Sequence, residues 1–475
     1  MTTSLVADLV AVLGERRVKA GTTGRELYRK DASTMEGGTS VVCLPGSTDE
    51  VRACVLAANR HGVPFVARGS GTGLAGGAVP LDGEVVISLS RMNEIVSVDE
   101  VNRQAWVQPG VLNLDLSNRL ASRGLHFAPD PSSQQTCSIG GNLANNAGGP
   151  HCLAEGITNA HVLGMKVVLP DGTVTVLGGD DPEPPGYDLR GVFVGSEGMF
   201  GIATEVCVRL TQNYPAVRTM LMDFDTVDDG AAVVSGIIAA GMVPAAIEMM
   251  DQLCLEAVEA YIHADLPVES AAALLVEVVG LPNELEEQVE RVVAIAHQHA
   301  VNTVRVAQDE AERALLWKGR KSAFGAIANI QPDYYLHDTV VPRSKLPEVL
   351  TKIYEIAARH ELQVLNVFHA GDGNLLPLIV YDARVPGATE RVHAAGKEIV
   401  EVSVAAGGAL SGEHGIGLEK RDYMHLMFSD VDLAAQNALR CAFDPDMVSN
   451  PGKVLPSPAT CAEINHIGLP EGAWV

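Results

Sequence analysis

Short apolar runs of the kind that form buried strands mark the first two hundred residues, at Phe65–Ala67, Glu84–Leu89, Ile95–Val98, Ala105–Gln108, Met165–Leu169, Thr173–Leu177 and Gly201–Leu210. Helical patterns lie between them. Ser47-Thr48-Asp49-Glu50 places a hydroxyl at an N-cap and a carboxylate three residues later, the capping-box pattern. The helix it opens runs through Val51, Val55 and Ala58 and stops at Gly62. Asn113–Arg123 predicts another helix, and Asp171-Gly172 a tight hairpin turn. Interleaved strands and short helices predict an α+β first domain, residues 1–213.

The pattern changes at Asn213-Tyr214-Pro215. Longer helical stretches follow at Asn283–His299 and Lys345–His360, with strands at Ala273–Val279 and Gln363–Phe368. These define a second domain, 214–427. A closing segment, 428–475, holds a helix from Val431 and then Asn450-Pro451-Gly452-Lys453. The longest uncharged stretch, Gly230 to Ile247, is interrupted by Gly236, Gly241 and Pro244 and is shorter than the ~20 apolar residues of a membrane span. It predicts a buried helix running into a strand.

Composition narrows the function. The 475 residues exceed one comfortable core, in keeping with more than one domain. With 34 basic and 59 acidic residues the formal charge is −25, which argues against nucleic acid as a partner. A small anionic substrate would need a locally positive pocket. Met1 to Leu13 lacks the basic start of a signal peptide. No pair among the eight cysteines has Cys-x-x-Cys spacing, which argues against a zinc ribbon or iron–sulfur cluster on this chain. Dispersed cysteines predict reduced thiols and a cytoplasmic location, with peripheral association at the inner membrane left open.

Three glycine-rich loops carry the first chemical signal. Arg68-Gly69-Ser70-Gly71-Thr72-Gly73 follows the Phe65–Ala67 strand directly, with Gly76-Gly77 beyond. Glycine lets backbone N–H groups approach an anion such as a dinucleotide pyrophosphate. The spacing Gly71-Gly73-Gly76 matches G-x-G-x-x-G, but no helix plainly opens there, and the terminal Gly-Lys-Ser/Thr of a P-loop is missing. A second loop, Pro129 to Gly149, combines small residues with Asn142, Asn145 and Asn146; a third is Gly195-Ser196-Glu197-Gly198-Met199-Phe200-Gly201. Three such loops in one domain exceed plain connectors of ~4–6 residues. Together they suggest the walls of an extended cofactor slot.

Arg68–Gly73, Pro129–Gly149, Gly195–Glu205 and Asn450-Pro451-Gly452-Lys453-Val454-Leu455-Pro456 resemble the signatures of the FAD-linked oxidase family. This is the vanillyl-alcohol-oxidase, or PCMH, type of flavoprotein. Within it the chain is similar to the D-2-hydroxyacid dehydrogenase branch, and to its group of glycolate oxidase FAD-carrying subunits at Trp317-Lys318-Gly319-Arg320-Lys321 and Cys461-Ala462-Glu463. The resemblance implies an α+β PCMH-type FAD-binding domain, a cap domain with an antiparallel sheet and helices, and a C-terminal segment returning to the flavin. The first loop would hold the FAD pyrophosphate; the second and third would line the ribityl chain and the ring. The residues so implied are Arg68, Gly69, Ser70, Gly71, Thr72, Gly73, Pro129, Asp130, Thr136, Gly140, Gly141, Asn142, Asn145, Gly148, Glu197, Gly201, Ile202, Glu413 and Asn450. Some relatives attach the flavin to a histidine of the first loop. Here that loop has none, so non-covalent FAD is expected.

Phe368-His369-Ala370-Gly371-Asp372-Gly373-Asn374-Leu375-Leu376-Pro377 predicts strand, tight turn, strand, and Ser411-Gly412-Glu413-His414-Gly415-Ile416-Gly417 puts a carboxylate and an imidazole on a glycine-flanked loop. Either histidine alone suits a structural role; the pair in a flavin-binding chain suits an active site. The resemblance makes His414 the general base, with His369, a second histidine and Glu413 as ligands of a divalent metal (Zn, Mn or Fe). The family reads Gly-Asp-Gly-Asn-x-His where this chain has Leu376, and leucine ligates no metal. His369 and Glu413 are thus a two-ligand remnant: the site binds metal weakly, another group substitutes for the missing ligand, or His369 acts as a hydrogen-bond donor without metal. Arg320 is the candidate for gripping the substrate carboxylate, against the plainer reading of a surface arginine in a basic helical cluster. Tyr335, His337 and Arg343 are further candidates.

The expected reaction is oxidation of glycolate or D-lactate to the 2-oxo acid, with hydride passing to flavin N5. Electrons would leave to an iron–sulfur partner subunit, a quinone or a cytochrome, and an oligomeric assembly is expected. Two alternatives stay open: a dehydrogenase acting on D-2-hydroxyglutarate or another diacid, and a catalytically weakened FAD-binding subunit, for which Leu376 is the motive.

Overall fold

The computed structural model describes residues 2–181, 185–456 and 461. It forms two compact units: 1–148, 157–213 and 413–475 make the first, 149–156 and 214–412 the second.

The first unit contains two sheets. One runs in the order Val18–Lys19, Gly38–Cys43, Asp82–Ser88, Phe65–Arg68, its last three strands parallel. The helix Thr48–Arg60 buries Val51, Cys54, Val55, Ala57 and Ala58 in a core that also holds Phe65, Val85 and Ile87. Its cap forms only half of the expected box. Ser47 Oγ accepts from Glu50 N at 3.2 Å, but the Glu50 carboxylate turns to Gly46 N and to Arg17, 2.6 Å away. An ion pair with a distant guanidinium outcompetes the local back-bond. The second sheet is antiparallel, in the order Ile95–Asp99, Gln104–Val107, Ile202–Arg209, Val162–Val168, Val174–Gly178. Its core includes Val107, Leu116, Met165, Val167 and Val206.

The C-terminal segment returns to the first glycine loop. Ser449 bridges Phe65 in parallel, Asn450 N donates to Phe65 O at 2.8 Å, and Lys453 Nζ donates to Val79 O at 2.7 Å. Cys441 and Cys461 form a disulfide, so the expectation of reduced thiols fails at this pair, and the cytoplasmic inference loses that support. The pairing was hidden because cysteine spacing alone says nothing of Cα separation, here 5.6 Å. Ala462 and Glu463 lie outside the described residues.

The second unit is built on a nine-stranded antiparallel sheet. Ala272–Gly280 lies between Ala216–Phe224 and Ala246–Asp251, and Gln363–His369 follows on the far side of Ala246–Asp251. Helices Val227–Ala239, Pro282–His297 and Leu346–Arg359 pack on it through apolar faces. The uncharged stretch thus becomes the helix Val227–Ala239 and the start of the strand Ala246–Asp251. Residues 413–427, expected in the second domain, belong to the first unit, because their backbone is tied to Asn145 and Glu197. Among the described residues no helix is long and apolar enough to cross a membrane.

Candidate active site

In the first unit the glycine loops and the His414 loop are sewn together by side chains. Gly71 has φ +74°, and a Cβ there would lie 2.1 Å from Arg68 Nη2, so the loop closes over its own arginine only with glycine. Arg68 is buried, lies over the Tyr28 ring and donates to Ala78 O. Among the described residues, the backbone N–H groups of Gly69, Ser70, Gly71, Thr72 and Gly73 have no hydrogen-bond partner within the chain. Clustered unpaired amides on a glycine cradle suit an anionic phosphate group.

The second loop is more committed to its own structure. Gly140 N donates to Pro109 O, Gly141 N to Ser138 Oγ, and the Asn142 side chain bonds Asn113 Nδ2 at 3.0 Å while buried. Asn113 also donates to Pro129 O. Asp130 and Gly148 are buried, and Thr136 is exposed, its hydroxyl donating to Ser133 O. Gly201 packs on a neighbouring strand: a Cβ would meet Val168 O at 2.6 Å, and Ile202 pairs with Val168.

Glu197 stands at φ 51° and is buried. Its Oε1 accepts from Ile416 N at 2.7 Å and Oε2 from Gly417 N at 2.9 Å. Burial drives its carboxyl up to about 7, against the pull of those two amides, Lys453 and Lys420. Asn145 Nδ2 donates to His414 O at 2.6 Å. Asn450 Nδ2 donates to Gly77 O and Glu197 O, and its Oδ1 accepts from Lys453. Burial brings the Lys453 ammonium down to about 8. The carboxylate of Glu197 and the amide of Asn145 therefore hold the loop that presents Glu413 and His414, whose side chains lie 3.6 Å apart, and Asn450 holds the Glu197 backbone.

In the second unit the structure gathers Arg320 and His369 around a residue the sequence did not single out. Arg320, on the helix Glu310–Lys321, is fully buried, which removes the surface-arginine reading. Its Nη2 lies 2.5 Å from Glu248 Oε2. Its Nε, Nη1 and Nη2 make no hydrogen bond among the described residues, Nη2 meeting Glu248 as an ion pair alone. The same Glu248 carboxylate accepts from His369 Nδ1 at 2.8 and 2.9 Å. The one available signal was a lone acid inside the apolar run Ala246-Ile247-Glu248-Met249-Met250.

A second buried acid sets the helix. Glu277 accepts from Thr219 Oγ1, Arg313 Nε and Nη2, and Trp317 Nε1 at 2.6 to 3.1 Å. Burial pushes its carboxyl up, but bonds from His151, Arg313 and Thr219 prevail and bring it to about 2. Asp338 takes Ser411 Oγ and Gly412 N, and Arg343 Nη1 donates to Gly371 O. The rings of Tyr335 and His337 meet edge to face, both residues buried.

Two family models cover most of the chain: "FAD binding domain" matches residues 39–178 and "FAD linked oxidases, C-terminal domain" matches 214–454. The chain belongs to the FAD-linked oxidase family. It is 46% identical to the glycolate oxidase subunit GlcD of Escherichia coli K12, over 91% of this chain and 87% of that one. The Bacillus subtilis glycolate oxidase subunit GlcD is 38% identical over 96% and 97%. Among solved structures, a 4-ethylphenol oxidase from Gulosibacter chungangensis superposes with a TM-score of 0.80, at 20% identity, covering 96% and 97% of the two chains. The protein is an FAD-dependent oxidoreductase of the PCMH-type fold.

The residues present fit this cofactor, as the unpaired amides of Gly69–Gly73 and the Gly71 cradle show. They do not fit a metal. Leu376 is buried where the family motif has a histidine, which leaves His369 and Glu413 as the two candidate ligands of that motif. Among the described residues no group of three or more His, Cys, Asp or Glu side chains could hold a metal ion.

Proposed function

We propose that this protein oxidises a small D-configured 2-hydroxy acid, glycolate or D-lactate, to the 2-oxo acid. The observation that carries the reading is Arg320: a buried guanidinium with Nε and Nη1 unpartnered and only Nη2 set against Glu248. Buried donors of this kind are costly unless met, and a planar carboxylate meets two at once. Arg320 orients the substrate carboxylate. His414 takes the hydroxyl proton, its loop held by Glu197 and Asn145. The amides of Gly69–Gly73 hold FAD without a covalent bond, no histidine being present in that loop. FAD supplies the hydride acceptor for the hydrogen on C2. No step is assigned to a metal.

The relatives named as glycolate oxidase subunits support a further reading. The chain works as one subunit of a larger assembly and passes electrons to an iron–sulfur partner, since it lacks Cys-x-x-Cys pairs of its own.

The test is anaerobic stopped-flow bleaching of the holoprotein's flavin by glycolate, D-lactate, L-lactate and D-2-hydroxyglutarate, with and without chelator. Fast bleaching by glycolate or D-lactate, insensitive to chelator, is expected. In Arg320→Lys, which keeps the charge but loses the planar fork, kcat/KM falls by about 100-fold. Flavin that stays oxidised with all four acids overturns the reading and leaves an FAD-binding subunit.

A further inference from the structure

The connection between the strands Val18–Lys19 and Gly38–Cys43 carries a buried carboxylate to the glycine cradle. Lys30 bridges Glu36, and Asp31, between them, is only 8% exposed. Its Oδ1 is occupied, accepting from Ser33 N at 2.9 Å and Ser33 Oγ at 2.6 Å, which fixes the side chain. Ala32 N donates to Gly73 O at 3.0 Å and pins this turn to the Arg68–Gly73 loop. Asp31 Oδ2 is buried and has no hydrogen-bond partner among the described residues. A buried acceptor left unmet costs stability, so Oδ2 calls for a donor from outside the chain.

That oxygen faces the glycine loop. A Cβ on Gly73 would have, apart from its chain neighbours, only Asp31 Oδ2 and Asn145 Nδ2 within reach, each at 3.9 Å. Glycine leaves this side of the loop open, with the Asp31 oxygen on its border and the unpaired N–H groups of Gly69–Gly73 on the loop itself. Asn145 bonds His414 O, so the opening lies beside the His414 loop. Burial draws the Arg68 guanidinium below its ordinary value, and the Asp31 charge works against the fall, so the two charges offset one another.

We propose that Asp31 is a cofactor-binding residue, its Oδ2 accepting a hydrogen bond from a sugar hydroxyl of FAD. The proposal rests on the reading that the Gly69–Gly73 amides hold FAD. An ionised carboxylate only accepts hydrogen bonds and repels a phosphate, so the pyrophosphate is not its partner. FAD carries hydroxyl donors on both sides of its pyrophosphate, on the ribityl chain and on the adenosine ribose. Amides that take the phosphates bring one of these hydroxyls to the border of the loop. The loop then supplies donors to the anion, and Asp31 supplies the acceptor to the alcohol.

The experiment exchanges the flavin of wild-type, Asp31→Ala and Asp31→Asn holoproteins against equal amounts of FAD and one FAD analogue. Each analogue lacks a single hydroxyl of the ribityl chain or of the ribose, and chromatography reads the ratio of the two flavins retained. Wild type disfavours one analogue about 10- to 100-fold, the loss of a hydrogen bond to a charged acceptor. In Asp31→Ala that preference shrinks to within about threefold while those at the other hydroxyls hold. In Asp31→Asn, Oδ1 still serves Ser33 and the NH2 can donate to the hydroxyl, so the preference is intermediate. A ribityl analogue in this role places Asp31 on the flavin side of the pyrophosphate, a ribose analogue on the adenosine side. Wild type that retains every analogue as well as FAD overturns the proposal and needs no variant to fold. So does a set of preferences unchanged in Asp31→Ala. Full flavin content in Gly71→Ala counts against the cradle instead, and the analogue ratios still decide the role of Asp31.

Discussion

Replacing Glu197 by Gln tests whether its buried carboxylate latches the His414 loop. Glu197 spans the amides of Ile416 and Gly417, so a glutamine oxygen can serve one while its NH2 confronts the other. One lost bond and one unsatisfied buried donor cost about 1–3 kcal/mol. A second effect opposes this one. Burial lifts the Glu197 carboxyl from 4.5 to about 7 in the folded protein. A raised carboxyl favours the folded state while protonated. That stability is fully present below pH 4.5 and is lost as pH rises through 7. At 1.36 kcal/mol per pH unit the full swing is about 3 kcal/mol, of which about 2–3 kcal/mol falls between pH 5 and pH 8. Wild type carries this loss and Glu197→Gln does not. The variant is therefore the less stable protein at pH 5, and the gap closes or reverses by pH 8. Urea unfolding of both holoproteins at pH 5, 6.5 and 8, followed by far-UV circular dichroism, measures it. A gap independent of pH refutes the burial argument. A gap near zero at pH 5 refutes the latch.

Gly71→Ala puts a Cβ against the Arg68 guanidinium at a positive φ, so the flavin-to-protein ratio after purification falls at least about tenfold while the secondary structure is kept. Cys441→Ser opens the disulfide to Cys461, a separation of 20 residues, and lowers stability by about 3 kcal/mol. Reductant shifts the wild-type urea midpoint to that of the variant and leaves the variant's unchanged; a variant that still responds to reductant refutes the assignment.

Much of the architecture was legible in local pattern. The strand runs and the long helices of the second half stand where the apolar spacing put them, give or take a few residues. The cofactor signal was legible because a glycine cluster says where backbone can come close. Carboxylates were not legible. Glu50 looked like half of a capping box and bonds Arg17 and Gly46 instead. Glu197 stands in the third glycine loop, and only the fold shows that its two oxygens accept from the Ile416 and Gly417 amides. Glu248 and Glu277 are single acids within apolar strands, a pattern that names no partner.

The sequence by itself determined the elements, the glycine cradle, the His414 loop and the missing ligand at Leu376. Each of these depends on residues adjacent in the chain or on one side chain's chemistry. Only the tertiary structure decided that Arg320 is buried, that Glu248 joins it to His369, and that the His414 loop belongs to the first unit. Those facts rest on partners as many as 269 positions apart, as Asn145 and His414 are. A carboxylate in an apolar strand shows only that it needs a donor, and the fold brings the donor to it.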